Sequence, residues 1–178
     1  MKKLVIVFIA ILSIPMTSVV FAGPTQVKLF SVNLPEGFSG PITQSSDAIE
    51  ILAFTKPHEK RVTNSLIQFN IINLEQAPSD SPLQLATVTN ENILLKMLGG
   101  IERRRTDFWK GNYREITIAG IPANKIEWSG YAEGIQMKGV FYTFIFQRHL
   151  YTISLQDIMP FAENNLIFME KAIESIKK

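Results

Sequence analysis

The chain has 178 residues, of which 46% are hydrophobic and 19% charged, and it contains no cysteine. That length and apolar content describe a globular protein with a real core and exclude a disordered chain. The missing cysteine excludes disulfides, thiolate metal sites and cysteine nucleophiles.

The N-terminus reads as a leader. Lys2 and Lys3 form a positive start, Leu4 to Ile14 is an apolar stretch, and Val20-Phe21-Ala22 fits a signal-peptidase site. Ser13, Pro15, Thr17 and Ser18 interrupt the apolar run, which favours a cleaved signal peptide over a membrane span. The expected organisation is a signal peptide over 1–22 and one domain over 23–178, with no stable membrane span after cleavage near Ala22. No cysteine follows the apolar stretch, so a lipid-modified N-terminal cysteine is excluded. Taking the leader's two lysines from the 18 basic residues leaves 16 against 16 acidic ones. The apparent basicity therefore belongs to the leader, and nucleic acid is not an expected partner.

After a short polar lead-in, Val27 to Leu34 alternates, with Phe30, Val32 and Leu34 on one face, and predicts a half-buried strand. Pro35-Glu36-Gly37 ends it, and Phe38 turns back to cover the end of the core. Residues 39–47 are a loop by composition. Ala48–Phe54 and Ser65–Leu74 are two more strands, separated by the charged turn Lys56–Arg61. Ser81 before Pro82 predicts a helix N-cap, with the helix running to about Arg104. Leu94, Met97, Leu98 and Ile101 form its core stripe, while Gly99-Gly100 either ends it or allows close approach to the sheet. Asp107 to Gly111 is predicted as a turn.

From Ile116 to Leu155 the chain reads as a four-strand antiparallel meander. Its corner is Gly120-Ile121-Pro122-Ala123, and Gly130, Gly134 and Gly139 space a flexible loop or bulge. A polar turn (Gln147, Arg148, His149) precedes the last strand. Beyond Pro160, Leu166, Met169, Ile173 and Ile176 mark a closing helix. The order βββ-α-ββββ-α belongs to the α+β class. Val140–Phe146 is apolar on both faces, so both should be covered. The expected architecture is an α/β/α sandwich around a mainly antiparallel sheet of about six to seven strands.

Four features are similar to the PsbP/Mog-type fold, which includes DcrB and related bacterial envelope proteins. They are Leu34-Pro35-Glu36-Gly37-Phe38 closing the first strand, Gly120-Ile121-Pro122-Ala123-Asn124-Lys125-Ile126, the pair Tyr142–Phe146 with Tyr151–Leu155, and the closing Ala172-Ile173-Glu174-Ser175-Ile176. Members of that group are mostly binding or assembly factors. The resemblance implies a non-enzymatic envelope protein, periplasmic or secreted, with a protein partner that the motifs do not identify.

The residues themselves offer little chemistry. His58 and His149 both sit in predicted turns without ligand-spaced neighbours and read as exposed, so no metal or cofactor is expected. Ser129 lacks the glycine two positions before it that a nucleophile elbow needs. The glycines after Trp128 precede no helix and cannot cradle a phosphate. Arg103-Arg104-Arg105 is the densest charge feature and reads as a solvated helix end or an acidic-partner site. Trp128 and Tyr142 read as core. Trp109 beside the arginines, with Tyr131, completes the expected interaction patch: Arg103, Arg104, Arg105, Trp109 and Tyr131. The functional expectation is an exported binding or assembly protein that engages an envelope protein. Its alternatives are a carrier holding a small apolar ligand beside Met97, Phe141 and Ile145, and then an enzyme of unknown class.

Overall fold

A computed structural model describes residues 24–58, 63–76 and 89–178. The leader, Ser81 and Pro82, and most of the turn after His58 lie outside these described residues; the helix expected from Pro82 starts at Asn90, where extended Thr89 is the N-cap and its Oγ1 accepts from the Asn92 N–H. The elements in order are β1 (Thr25–Val27), β2 (Phe30–Val32), β3 (Ser39–Ser45), β4 (Ile49–Pro57), β5 (Asn64–Asn73), α1 (Asn90–Glu102), β6 (Thr106–Lys110), β7 (Arg114–Ile118), β8 (Ile121–Ala132), β9 (Ile135–Phe146), β10 (His149–Ile158) and α2 (Ala162–Glu174).

The class is α+β, as the element order implied. The main sheet has eight strands in the order β3-β4-β5-β10-β9-β8-β6, with β7 also paired to β8. Every one of its pairings is antiparallel. The expected six to seven strands change in membership as well as number. The first predicted strand leaves the sheet, and two segments read as loop and turn join it.

The departing strand is a hairpin. Lys28 takes a positive φ of 56°, so the chain reverses and Val27 pairs with Phe30. One straight strand would point Val27 away from Phe30 and Val32. The reversal buries all three on one face. The joining segments are β3 and β6, both at sheet edges. An edge strand needs a partner on one side only, so Gly40, Pro41 and a polar composition are tolerated in β3.

The meander stands as expected, with β7, β8, β9 and β10 pairing in sequence. All three of its turns place two residues at positive φ: Ala119 and Gly120, Glu133 and Gly134, Gln147 and Arg148. Primed hairpin turns of this kind match the twist of the flanking strands. Residues 130–139 are therefore not a flexible loop. Gly130 lies within β8, Gly139 lies within β9, and the turn between those strands is Glu133-Gly134.

Burial divides into two clusters. Val140, Tyr142 and Phe144 of β9 pack with Met169, Ala172 and Ile173 of α2 and with the β1–β2 hairpin. Phe141, the residue between two of them, packs with Leu94, Met97, Leu98 and Ile101 of α1. Alternate side chains of a strand project to opposite faces. Phe38 closes one end of the first cluster, as predicted. No helix among the described residues is long and apolar enough to cross a membrane.

Two glycines behave oppositely. A Cβ on Gly139 would lie 2.5 Å from the Leu155 carbonyl oxygen and 2.5 Å from two Trp128 ring atoms. Gly139 thus lets the buried Trp128 indole lie flat across the neighbouring strand. α1 runs straight through Gly99, where a Cβ would touch only Arg103 Nη1 at 3.8 Å. Gly139→Ala should cost about 1–3 kcal/mol through overpacking. Gly99→Ala should add up to about 1 kcal/mol through helix propensity. Urea unfolding of both variants checks the opposite signs.

Candidate functional site

The expected patch occupies the corner where α1 returns to the sheet. Arg103 caps α1, its N–H donating to the Gly99 carbonyl. Arg104 N–H donates to Ile101 O, and Arg105 N–H donates to Glu102 O, which tightens the last turn. The chain then enters β6, where Thr106 faces Tyr131 and Trp109 faces Ser129. The arginine run and Tyr131 are thereby brought to one end of β8.

The register also divides the patch. The Arg105 guanidinium lies 5.7 Å over the Trp128 ring, and Trp128 belongs to the α1 cluster. Trp109 pairs with Ser129, one residue along, so it projects to the other face. Tyr131 has the same parity as Ser129 and shares that side. Arg105 is half-buried, and burial, followed by the adjacent Arg104 charge, lowers its pKa. Trp109 is 55% exposed, and Tyr113 nearby is also exposed. Lys110 is drawn back toward α1 by Glu102 at 3.7 Å. The corner therefore has a cationic side around the arginines and an aromatic side around Trp109 and Tyr131.

A second constellation escaped the sequence reading. His58 is not an exposed turn residue. It is 8% exposed and stacks on Phe161 with ring centroids 4.3 Å apart. Its Nε2 lies 2.6 Å from Asp157 Oδ1. Ser65 Oγ donates to Asp157 Oδ2 at 2.8 Å, and Asn165 Nδ2 donates to the same oxygen at 2.7 Å. The Ile158 N–H donates to Asp157 Oδ1 at 2.7 Å. These side chains come from the end of β4, the start of β5, the end of β10 and the first turn of α2.

Serine, histidine and aspartate together suggest a nucleophile triad, but the bonding excludes that role. In a triad the histidine stands between serine and carboxylate and uses both ring nitrogens. Here Ser65 and Asp157 both face Nε2, and the serine proton points to the carboxylate. Ser65 and Asp157 are fully buried, so no substrate reaches them. The group is a polar lock between sheet and helix. No local motif announced it, because its members are spread over four elements.

The remaining sequence candidates resolve simply. His149 begins β10, with Nδ1 2.8 Å from the Gln147 carbonyl oxygen. Phe141 and Met97, the expected walls of an apolar cavity, are packed in the α1 cluster. Among the described residues, no three His, Cys, Asp or Glu side chains gather closely enough to hold a metal ion.

No protein-family model matches the chain, and no curated protein matches its sequence. Solved structures do match. Cyanobacterial PsbP from Synechocystis aligns with a TM-score of 0.59 at 12% identity, over 86% of this chain and 90% of that one. LpqN, involved in cell envelope biogenesis of Mycobacterium tuberculosis, aligns with a TM-score of 0.58 at 11% identity, over 87% and 83%. A Pseudomonas aeruginosa protein of unknown function, a putative regulator, aligns with a TM-score of 0.52 at 12% identity, over 86% and 94%. At such identities the likeness is one of fold. The fold is PsbP-like, and one neighbour that shares it belongs to envelope biogenesis.

Two outcomes follow from the buried polar groups. Asp157→Ala leaves His58, Ser65 and Asn165 without their common acceptor and should cost about 3–5 kcal/mol in urea unfolding. Tyr151 is stacked on Phe144 at 4.8 Å, and among the described residues its hydroxyl has no hydrogen-bond partner. Burial, then the Glu50 charge, pushes its pKa from 10.0 up to about 12. The folded chain thus favours the neutral phenol. The contribution is complete below pH 10 and is lost as pH rises through about 12. Tyr151→Phe should remove this part of the alkaline loss, as read by unfolding midpoints on both sides of that window.

Proposed function

We propose that the chain is an exported, non-enzymatic binding or assembly protein of the bacterial envelope, periplasmic or secreted, that engages a protein partner. The observation that carries this reading is the β6 corner. Trp109 stands 55% exposed on an edge strand with Tyr131 on the same side, while Arg105, at the end of the Arg103–Arg105 turn, lies over Trp128 on the other side. Aromatic and arginine side chains are the usual anchors of protein interfaces, and an exposed Trp carries a large apolar area that a partner would cover. The PsbP-like fold and an envelope-biogenesis neighbour support the compartment. On this reading residues 23–178 form one domain, exported after cleavage at Ala22. The layers form an α/β/α sandwich, supported by the entry of Phe141 and Tyr142 into different clusters. The finer kinship with Mog-type and DcrB-type proteins rests on the four sequence motifs.

The test is site-specific photo-crosslinking in cells that export the protein. A photoreactive residue replacing Tyr131 should give one discrete adduct, lost when Trp109→Ala and Arg104→Ala are added. Mass spectrometry of the exported chain should show Gly23 as its first residue. Absence of any adduct from either Tyr131 or Tyr113, with the protein folded and exported, would overturn the interface. A chain that retains residues 1–22 in the envelope would overturn the cleavage.

A further inference from the structure

A separate surface lies where the turn after β2 meets α2. Asn33 N–H donates to Ser175 Oγ at 2.9 Å, and Ser31 forms an antiparallel bridge with Lys177. These contacts hold the segment 33–38 against the end of α2 and leave a groove of about 500 Å³ between them. Phe38, Pro35, Ala172 and Phe168 supply its apolar walls, and Lys56 and Lys171 supply its cations. The volume falls in the range of small-molecule sites, about 300–1,000 Å³.

Three features of the groove point to one kind of occupant. First, Gly37 has a φ of +84° and no side chain, and the Lys56 stem lies across it, with Cε 3.1 Å from where a Cβ would stand. The lysine is therefore laid along the turn beside the groove. Second, among the described residues no ion pair involves Lys56 or Lys171; Lys171 Nζ rests 5.8 Å over the Phe168 ring. Third, Phe168 is 56% exposed, although burial of an aromatic ring of this size is worth about 2 kcal/mol. Glu36 on the same rim leaves the lining with a net charge of one positive unit.

We propose that this groove binds an amphipathic anion, with a hydrocarbon body over Phe38 and Phe168 and a carboxylate or phosphate head at Lys56 and Lys171. The proposal is independent of the β6 corner, which lies at the opposite end of the strand order from β4. Asn165 links the groove to the protein interior. It lines the groove and donates both to Asp157 and to Ser65. An occupant should therefore be sensed at the Asn165 side-chain amide.

The experiment titrates the exported, ¹⁵N-labelled protein with dodecanoate, dodecyl phosphate and dodecyltrimethylammonium, each below its micellar concentration. Saturable amide shifts at Phe168, Ala172 and the Asn165 side chain are expected with the two anions. The tighter of the two identifies the head group. Lys56→Gln with Lys171→Gln should weaken binding about a hundredfold, since each charge-assisted contact is worth about 1.5 kcal/mol, a little over tenfold. Phe168→Ala should weaken it with the lysines intact. Lys171 and Phe168 are exposed and Lys56 is half-buried, and unchanged urea midpoints show that the variants remain folded. Equal binding of the cationic amphiphile, an unaffected double variant, or shifts confined to other surfaces would overturn the proposal. Sedimentation with phosphatidylglycerol vesicles without any monomeric amphiphile bound would also overturn it, because that outcome describes a membrane surface rather than a groove.

Discussion

The carboxylate of Asp157 is the contact on which the arrangement of sheet and α2 depends. It is fully buried, and it accepts from Ser65, Asn165 and the Ile158 N–H while facing His58 Nε2. A buried carboxylate without such partners would be strongly unfavourable, so its satisfaction constrains all four donors together. Those donors sit at the end of β4, the start of β5, the end of β10 and the first turn of α2. The lock therefore sets where α2 begins over the sheet. A second polar contact holds the middle of the helix, where Glu170 accepts from Tyr142 Oη at 3.1 Å and pairs with Lys125 at 2.6 Å. Burial and then the Glu170 charge push the Tyr142 pKa up, which keeps this phenol a donor.

With α2 placed by polar contacts, apolar packing does the rest. β9 supplies side chains to both clusters, and the Trp128 ring lies where a side chain at Gly139 would stand. The β1–β2 hairpin closes the α2 side, with Phe30 edge-on to Phe144 and Tyr151. Between the apolar residues of the second cluster, buried polar groups pair along β5, β9 and β10. Gln68 donates to Asn70, Asn70 donates to Thr152, and Thr143 donates to the Asn90 carbonyl at the start of α1. These bonds satisfy groups that burial would otherwise penalise.

Two exposed surfaces are what this framework leaves uncovered. At the β6 corner the pleat sends Trp109 and Arg105 to opposite sides, so a feature that is continuous in sequence becomes two chemically different surfaces. At α2 the inward stripe of Met169, Ala172 and Ile173 leaves Phe168 and Lys171 facing outward beside the 33–38 turn. Both surfaces are assembled from non-adjacent segments.

The sequence by itself determined the elements whose signal is local. The stripes Leu94, Met97, Leu98, Ile101 and Met169, Ile173, Ile176 are buried as their spacing required, with Leu166 of the same stripe half-buried, and the meander from β7 to β10 follows from alternation between turns. Those patterns are read over a few residues, and the backbone period enforces them. Only the tertiary structure decided the rest. Residues 39–45 and 106–110 are strands because a neighbour offers backbone partners, not because their side chains favour strands. His58 is buried because Asp157, 99 residues away, needs a partner. Lys56 and Lys171 meet at one groove for the same reason: strand pairing and helix docking bring together groups that the chain keeps far apart, and no local pattern records that meeting.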